Sequence, residues 1–272
     1  MNKNYFEIVN QNYWNEDFKL KNRVDPDMYC EELIKDLVGN FILAKSLPSG
    51  KLFTNKEQIA QTNDTSHSLY AEVQVFENKK RFATFRVTPD YIGASIYWAM
   101  KAGVADEEIK NHLKTSRLLA GHLLFPKWIA TPSPYKVIRW SDDPKGTINT
   151  ARGGVKGYYD RIDYTLFALK NWYEEKQSKL FDMIEKYEKW FNLFENFSNY
   201  IEFFKLKSLL KGNNIVDLTS YDKDNDTYNN VIENDSHVSI PSDRDSYINY
   251  MYGCERFIKL RQKEIFAQEK IS

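Results

Sequence analysis

The stretch Leu69–Val87, LYAEVQVFENKKRFATFRV, decides how the rest of the chain is read. From Leu69 to Phe76, and again from Arg81 to Val87, β-branched and aromatic residues partly alternate with polar ones. That two-residue period is the mark of a strand. Glu77-Asn78-Lys79-Lys80 separates the two runs, so the stretch predicts a β-hairpin. Working outward on the N-terminal side, residues 51–68 are polar and read as loop or short irregular helix. Before them, Asp25-Pro26-Asp27 opens a helix, because Asp25 can cap orphan amides and Pro26 needs no partner for its missing N–H. Leu33, Leu37 and Phe41 recur at helical spacing in it, and Pro48-Ser49-Gly50 stops it.

On the other side, Thr88-Pro89-Asp90 reads as a second cap, leading into a helix over Tyr91–Lys101 that Gly103 ends. Asp106-Glu107-Glu108 puts three carboxylates at the positive end of a further helix, expected to run through Ile109, Leu113, Arg117 and Leu118 to Gly121. His122–Trp140 contains three prolines and two short β-like runs, and reads as strands and loops. Tyr158–Glu175 is helical. Leu180–Leu210 yields two amphipathic helices, the second spanning Ile201–Leu210 and apolar on nearly every side. Ser242-Asp243 caps a last helix bearing Tyr247, Tyr250, Met251, Phe257, Ile258 and Ile265. The expected fold is α+β and mainly α-helical: a helical core with a small sheet near residues 69–87 and 122–140. With no internal repeat, residues 1–272 read as one domain carrying a mobile acidic loop at about 213–241.

Composition narrows the function classes. Seventeen Phe, eighteen Tyr and six Trp, at about 150–250 Å² buried apiece, are enough for a large core and argue against disorder. The net charge is zero, so affinity for nucleic acid or membrane has to come from a local patch. Cys30 and Cys254 lie far apart without CxxC spacing, which argues against a disulfide framework and a zinc site. They read as reduced packing residues. Met1–Trp14 has no signal-peptide character and no run is long enough to span a bilayer, so a cytoplasmic protein without membrane contact is expected. Phosphate loops of the Walker or Rossmann type, a GxSxG elbow and an HExxH pair are all missing from the sequence, and no cofactor is implied.

Four constellations carry possible chemistry. From Lys114 to Arg161 there are nine basic residues against three acidic ones, interleaved with Phe125, Trp128, Tyr135, Trp140, Tyr158 and Tyr159. Guanidinium forks match phosphate oxygens and aromatic faces stack on bases, so this middle segment is a candidate anion site. A solvated basic face is the alternative. Its candidate ligand-binding residues are Lys127, Asn149, Arg152, Asp160, Arg161 and Asp163. Second, Arg117 and His122 are separated by four residues at the expected end of one helix, and are the candidate catalytic pair. This spacing resembles the metal-independent RNase motif of the HEPN superfamily, in which Arg steadies a phosphate and His moves protons. It departs from that motif at Leu118, where a polar residue is usual. Third, Asp160 and Asp163 share a helix face with Arg161 between them, the pattern of a bound ion or of an internal salt-bridge network. Fourth, Asp222, Asp224, Asp226, Tyr228, Asn230 and Glu233 match the ligand register of an EF-hand. Thr227 stands where that loop needs Gly, and the flanks are not helical.

Read in order, DPD (Asp25–Asp27), LAKSLPSG, GHLLFP (Gly121–Pro126), TINTARG (Thr147–Gly153), DRIDYTL (Asp160–Leu166), an FFKL helix at Phe203 and FIKLR (Phe257–Arg261) resemble a family of uncharacterised bacterial proteins carrying a domain of unknown function. The resemblance spans most of the chain. It implies that His122, Asn149, Arg152, Asp160, Arg161 and Asp163 belong to the family pattern, and it transfers no activity. Ser66–Val87 departs from the pattern. The sequence therefore supports binding, with or without processing, of a nucleotide or nucleic acid by a central Arg/His/Asp cluster. Arg117, Arg152 and Arg161 would hold phosphate, His122 would carry a proton, and Asp160 and Asp163 would orient the arginines. Two alternatives remain open: a non-catalytic protein-interaction module with no partner nominated, and an RNase-like toxin or phage-defence protein using Arg117 and His122. Whether the protein is an enzyme stays open with them.

Overall fold

The structure is a computed structural model that describes residues 5–13, 30–42, 46–53, 60–63, 69–94, 96–126, 161–176, 184, 187–234, 239 and 241–267. The expected hairpin is its organising element. Strand β3 (Leu69–Glu77) and strand β4 (Lys80–Tyr91) pair antiparallel across Asn78-Lys79. Both turn residues have positive φ, 48° and 63°. That is the backbone twist a two-residue hairpin requires. Ala71, Val73, Val75 and Val87 are buried on one face, whereas Glu72 and Gln74 are only partly so.

Two short strands from the stretch expected to be loop complete one side. Strand β1 (Leu52–Phe53) pairs near the end of β3, at Leu52↔Phe76, and β2 (Ala60–Asn63) pairs near its start, at Asn63↔Leu69. On the far side β4 pairs with β5 (His122–Pro126), from Val87↔Pro126 to Tyr91↔His122. Thr88-Pro89-Asp90 is thus strand, not a helix cap. The run His122–Pro126 is buried throughout and needs a ladder partner. The β3–β4 pairing ends at Ala71↔Val87, so Pro89 falls where β4 has one neighbour among the described residues.

Helices cover the apolar face. Helix α1 (Tyr5–Asn10) and helix α2 (Glu31–Phe41) come first, and α2 buries Leu33, Ile34, Leu37, Val38 and Phe41 as one stripe. Its N-cap is Cys30, and the proposed start at Asp25–Asp27 lies outside the described residues. Helix α3 (Ile96–Lys101) ends before Gly103, which has φ 91°. Helix α4 (Asp106–Ser116) begins at the three carboxylates as expected and stops earlier than expected. Helix α5 (Ile162–Tyr173) is followed by the short α6 (Glu188–Phe191) and by α7 (Phe197–Phe204). The predicted helix over Ile201–Leu210 ends at Phe204, where Lys205 turns left-handed with φ 55°. Trp190, Phe194, Phe203 and Phe204 stack there with Phe53, at centroid spacings of 5.0–6.0 Å.

The acidic stretch is built of two small hairpins. They are β6 (Leu210–Lys211) with β7 (Asn214–Ile215), and β8 (Tyr221–Asp222) with β9 (Thr227–Tyr228). Helix α8 (Arg244–Ala267) then runs back across α1, α4 and the turn at Leu218–Ser220. Its start is capped as the sequence predicted: the Ser246 N–H donates to Asp243 Oδ1 at 2.9 Å. One buried apolar cluster extends from Val9 to Ile265. Among the described residues no helix is long and apolar enough to cross a membrane.

Candidate functional site

Two buried arginine centres emerge. The first is built on Arg161, the residue just before α5, and Asp163 in that helix's first turn. They are 1% and 0% exposed. Arg161 donates to both carboxylate oxygens of Asp163, from Nε at 3.0 Å and Nη2 at 2.9 Å. Nη2 also donates to Asp217 Oδ1 at 3.1 Å, and Nη1 donates to the Ser239 carbonyl. The guanidinium lies over the rings of Tyr164 and Tyr250. Asp163 in turn accepts the backbone N–H groups of Tyr164 and Leu218, each at 3.0 Å. Asp217 accepts from the Thr219 amide and hydroxyl.

The electrostatics follow from this closure. Burial opposes the charge on Arg161, but Asp163, by charge and hydrogen bond, outweighs it, with smaller help from Tyr250 and Asp217. The guanidinium pKa is held above its ordinary value. Burial pushes the Asp217 carboxyl up, against the pull of Arg161 and with the repulsion of Asp163. The carboxylate of Asp163 occupies the bidentate fork that a phosphate would otherwise use. Asp163 does orient an arginine, as the sequence suggested, and it does so inside the core.

The second centre gathers around Tyr91, the last residue of β4. The Arg117 guanidinium carbon sits 3.8 Å from the Tyr91 ring centroid. The rings of His122 and His112 lie 6.1 and 6.5 Å from it. All three basic residues are 1% exposed or less. The Tyr91 hydroxyl donates to Ser116 Oγ at 3.0 Å. Arg117 and His122 are not on one helix as expected. Arg117 follows the last residue of α4, a 3₁₀ turn occupies Leu119–Gly121, and His122 opens β5. The sheet pairing of Tyr91 with His122 brings them together.

Close packing fixes this arrangement. A Cβ on Gly121 would lie 2.0 Å from the Ser116 carbonyl oxygen, and one on Gly93 would lie 2.2 Å from the Tyr91 ring. Only glycine lets the turn close and the ring fold back. From α8, Arg261 clamps the turn: Nη1 donates to the Ala120 and His122 carbonyls at 2.8 and 2.6 Å, while Nε and Nη2 donate to Phe204 O. Burial brings the Arg261 pKa down to about 9, partly countered by Glu264. His122 donates from Nδ1 to the Leu118 carbonyl at 2.9 Å. His112 donates from Nδ1 to Glu255 Oε1 at 3.0 Å. Its other ring nitrogen, Nε2, is buried and has no hydrogen-bond partner among the described residues.

Lys127, Asn149, Arg152 and Asp160 lie outside the described residues. The calcium-loop register falls on the β8–β9 hairpin. There Asp222 accepts the amides of Asp224 and Asn225, and Asp226 accepts from Tyr221 and Arg256. Hydrogen bonds from Asn225 hold the Asp222 carboxyl below its ordinary range, and those from Tyr221 and Arg256 do the same for Asp226. Tyr228 is buried, and its hydroxyl donates to Gly253 O. Asp224 and Glu233 are exposed. Among the described residues no group of three or more His, Cys, Asp or Glu is placed to hold a metal ion. Cys30 and Cys254 are not joined in a disulfide, and burial pushes the Cys254 thiol up. Tyr91, His112 and Glu255 did not emerge from the sequence. Glu255 lies 143 residues from its histidine, and no local pattern ties them.

Residues 12–265 match the model described as "Family of unknown function (DUF6994)", and the chain belongs to that family. No curated protein and no solved structure matches it.

Proposed function

We propose that this member of a family of unknown function binds a small phosphate-bearing ligand, a nucleotide before all others, at the arginine–histidine centre on Tyr91. The observation that supports this is the convergence of Arg117, His112 and His122 on one buried aromatic ring. A guanidinium and imidazole N–H groups complement phosphoryl oxygens, and in a low-dielectric interior each such bond is stronger than in water. Stacking on Tyr91 holds the Arg117 fork in place before any ligand arrives. Burial of all three groups favours a small ligand or a chain end. A continuous nucleic-acid strand tracks an open basic groove instead. Lys127, Asn149, Arg152 and Asp160, in the basic segment 127–160, are proposed as further ligand-binding residues on the strength of the sequence alone. Arg161 and Asp163 serve it indirectly, by anchoring the far end of that segment to the core.

The test begins with the purified protein: its ratio of absorbance at 260 to 280 nm, mass spectrometry on the denatured supernatant, and calorimetric titration with inorganic phosphate and nucleotides. A co-purifying nucleotide, or saturable binding that Arg117→Lys weakens, is the expected result. An empty supernatant together with no binding at millimolar ligand would sink the proposal.

A further inference from the structure

We infer that His112, backed by Glu255, is the residue that hydrogen-bonds the ligand's phosphoryl oxygen through Nε2. This rests on the phosphate-binding reading and names the contact within it. His112 is 1% exposed, and its Nε2 has no hydrogen-bond partner among the described residues. A buried polar nitrogen left unpaired is costly, and most such groups in native proteins are met by protein, by ordered water or by a bound ion. The ring cannot turn to hide it, because Nδ1 is held by Glu255 Oε1 at 3.0 Å. A carboxylate behind an imidazole fixes its tautomer and its orientation. With Nδ1 turned to Glu255, Nε2 is the ring atom left to exchange a hydrogen bond with a phosphoryl group.

The pair is not explained by a need to join two helices. Helices α4 and α8 are already tied by Arg244 donating to Glu108 at 2.7 Å, and both bury apolar side chains in the common core. Glu255 accounts for Nδ1 and leaves Nε2 unexplained. His112 and Arg117 border the same Tyr91 ring, so one phosphoryl group fits the recognition chemistry of both.

The experiment is a titration of the full-length protein, labelled with ¹⁵N-histidine, with inorganic phosphate. Long-range ¹H–¹⁵N correlation follows the four imidazoles, His112 being assigned through its backbone. Calorimetry runs in parallel on wild type, His112→Gln and Glu255→Gln. The expected result is a saturable shift of His112 Nε2 with the calorimetric dissociation constant. His112→Gln should weaken phosphate roughly ten- to a hundredfold, as for loss of a charged hydrogen bond, while its circular dichroism stays native. Phosphate binding that leaves the His112 resonances in place, or a folded His112→Gln protein that binds as wild type, overturns this assignment and leaves the ligand reading intact. Absence of binding by any phosphate compound sinks both. The spectra are those of wild-type protein, so the first criterion holds even if the variants fail to fold.

Discussion

The Arg161 and Arg117 centres look alike at first sight and differ in how they are closed. Each buries a guanidinium almost completely, and each lays it on tyrosine. Around Arg161 two carboxylates and a backbone carbonyl take up the donors, so charge and geometry balance inside the protein. Around Arg117 the neighbours on Tyr91 are two histidines, and Nε2 of His112 has no hydrogen-bond partner among the described residues. The comparison teaches that buried arginine is not itself a functional signal. What separates a structural ion pair from a candidate site is whether the surrounding groups complete the hydrogen-bond count.

The sharpest way to break the comparison is Asp163→Ala. It strips the chelate from Arg161 and frees the amides of Tyr164 and Leu218. Removing one partner of a buried pair costs about 3–5 kcal/mol, to be read from urea unfolding. A loss under about 1 kcal/mol, below what even one buried hydrogen bond usually carries, would show that the network is not structural. Gly121→Ala comes next, because its Cβ meets backbone that cannot swing aside. Overpacking of this kind costs about 1–3 kcal/mol, and the variant should also loosen His122, visible as a changed imidazole resonance. Arg117→Lys should invert the pattern of Asp163→Ala. The fold should persist in a thermal melt while phosphate affinity falls, since an ammonium lacks the planar fork that stacks on Tyr91. Equal affinity in the two proteins would place the site elsewhere.

The smallest effect is expected at Asp243, an exposed helix cap. Hydrogen bonds from Ser246 hold its carboxyl below the ordinary value of 3.8. A folded-state pKa that is depressed gives stability in full above the unfolded value, and loses it as the pH falls through the folded value. Asp243→Ala should therefore lower the melting temperature slightly at neutral pH, with the difference from wild type vanishing in acid below the ordinary carboxylate range. A difference that persists unchanged at pH 2 would rule out the charged cap as its source.

Local features were the legible ones. The hairpin over residues 69–87, the acidic start of α4 at Asp106 and the Asp243 cap each depend on a few adjacent residues, and each appears where the sequence put it. Pro89 misled because a proline after threonine is a good helix start, and only the buried run of β5 makes it strand. Ala60–Asn63 misled for a related reason: polar residues become a strand there by pairing with β3. For the candidate site, the basic character of the middle segment and the Arg117–His122 pair were readable. The element boundary between those two residues was not.

By itself the sequence determined the mixed α and β class, the core aromatics, the starts of α4 and α8 and the candidates Arg117, His122, Arg161 and Asp163, because period, capping and charge act over a few residues. Only the tertiary structure decided that Asp217 helps close the Arg161 centre, that Glu255 holds His112, and that Tyr91 gathers the second cluster. The physical reason is that burial of a polar group is settled by contacts between segments 21 to 143 residues apart, and no local pattern carries that information.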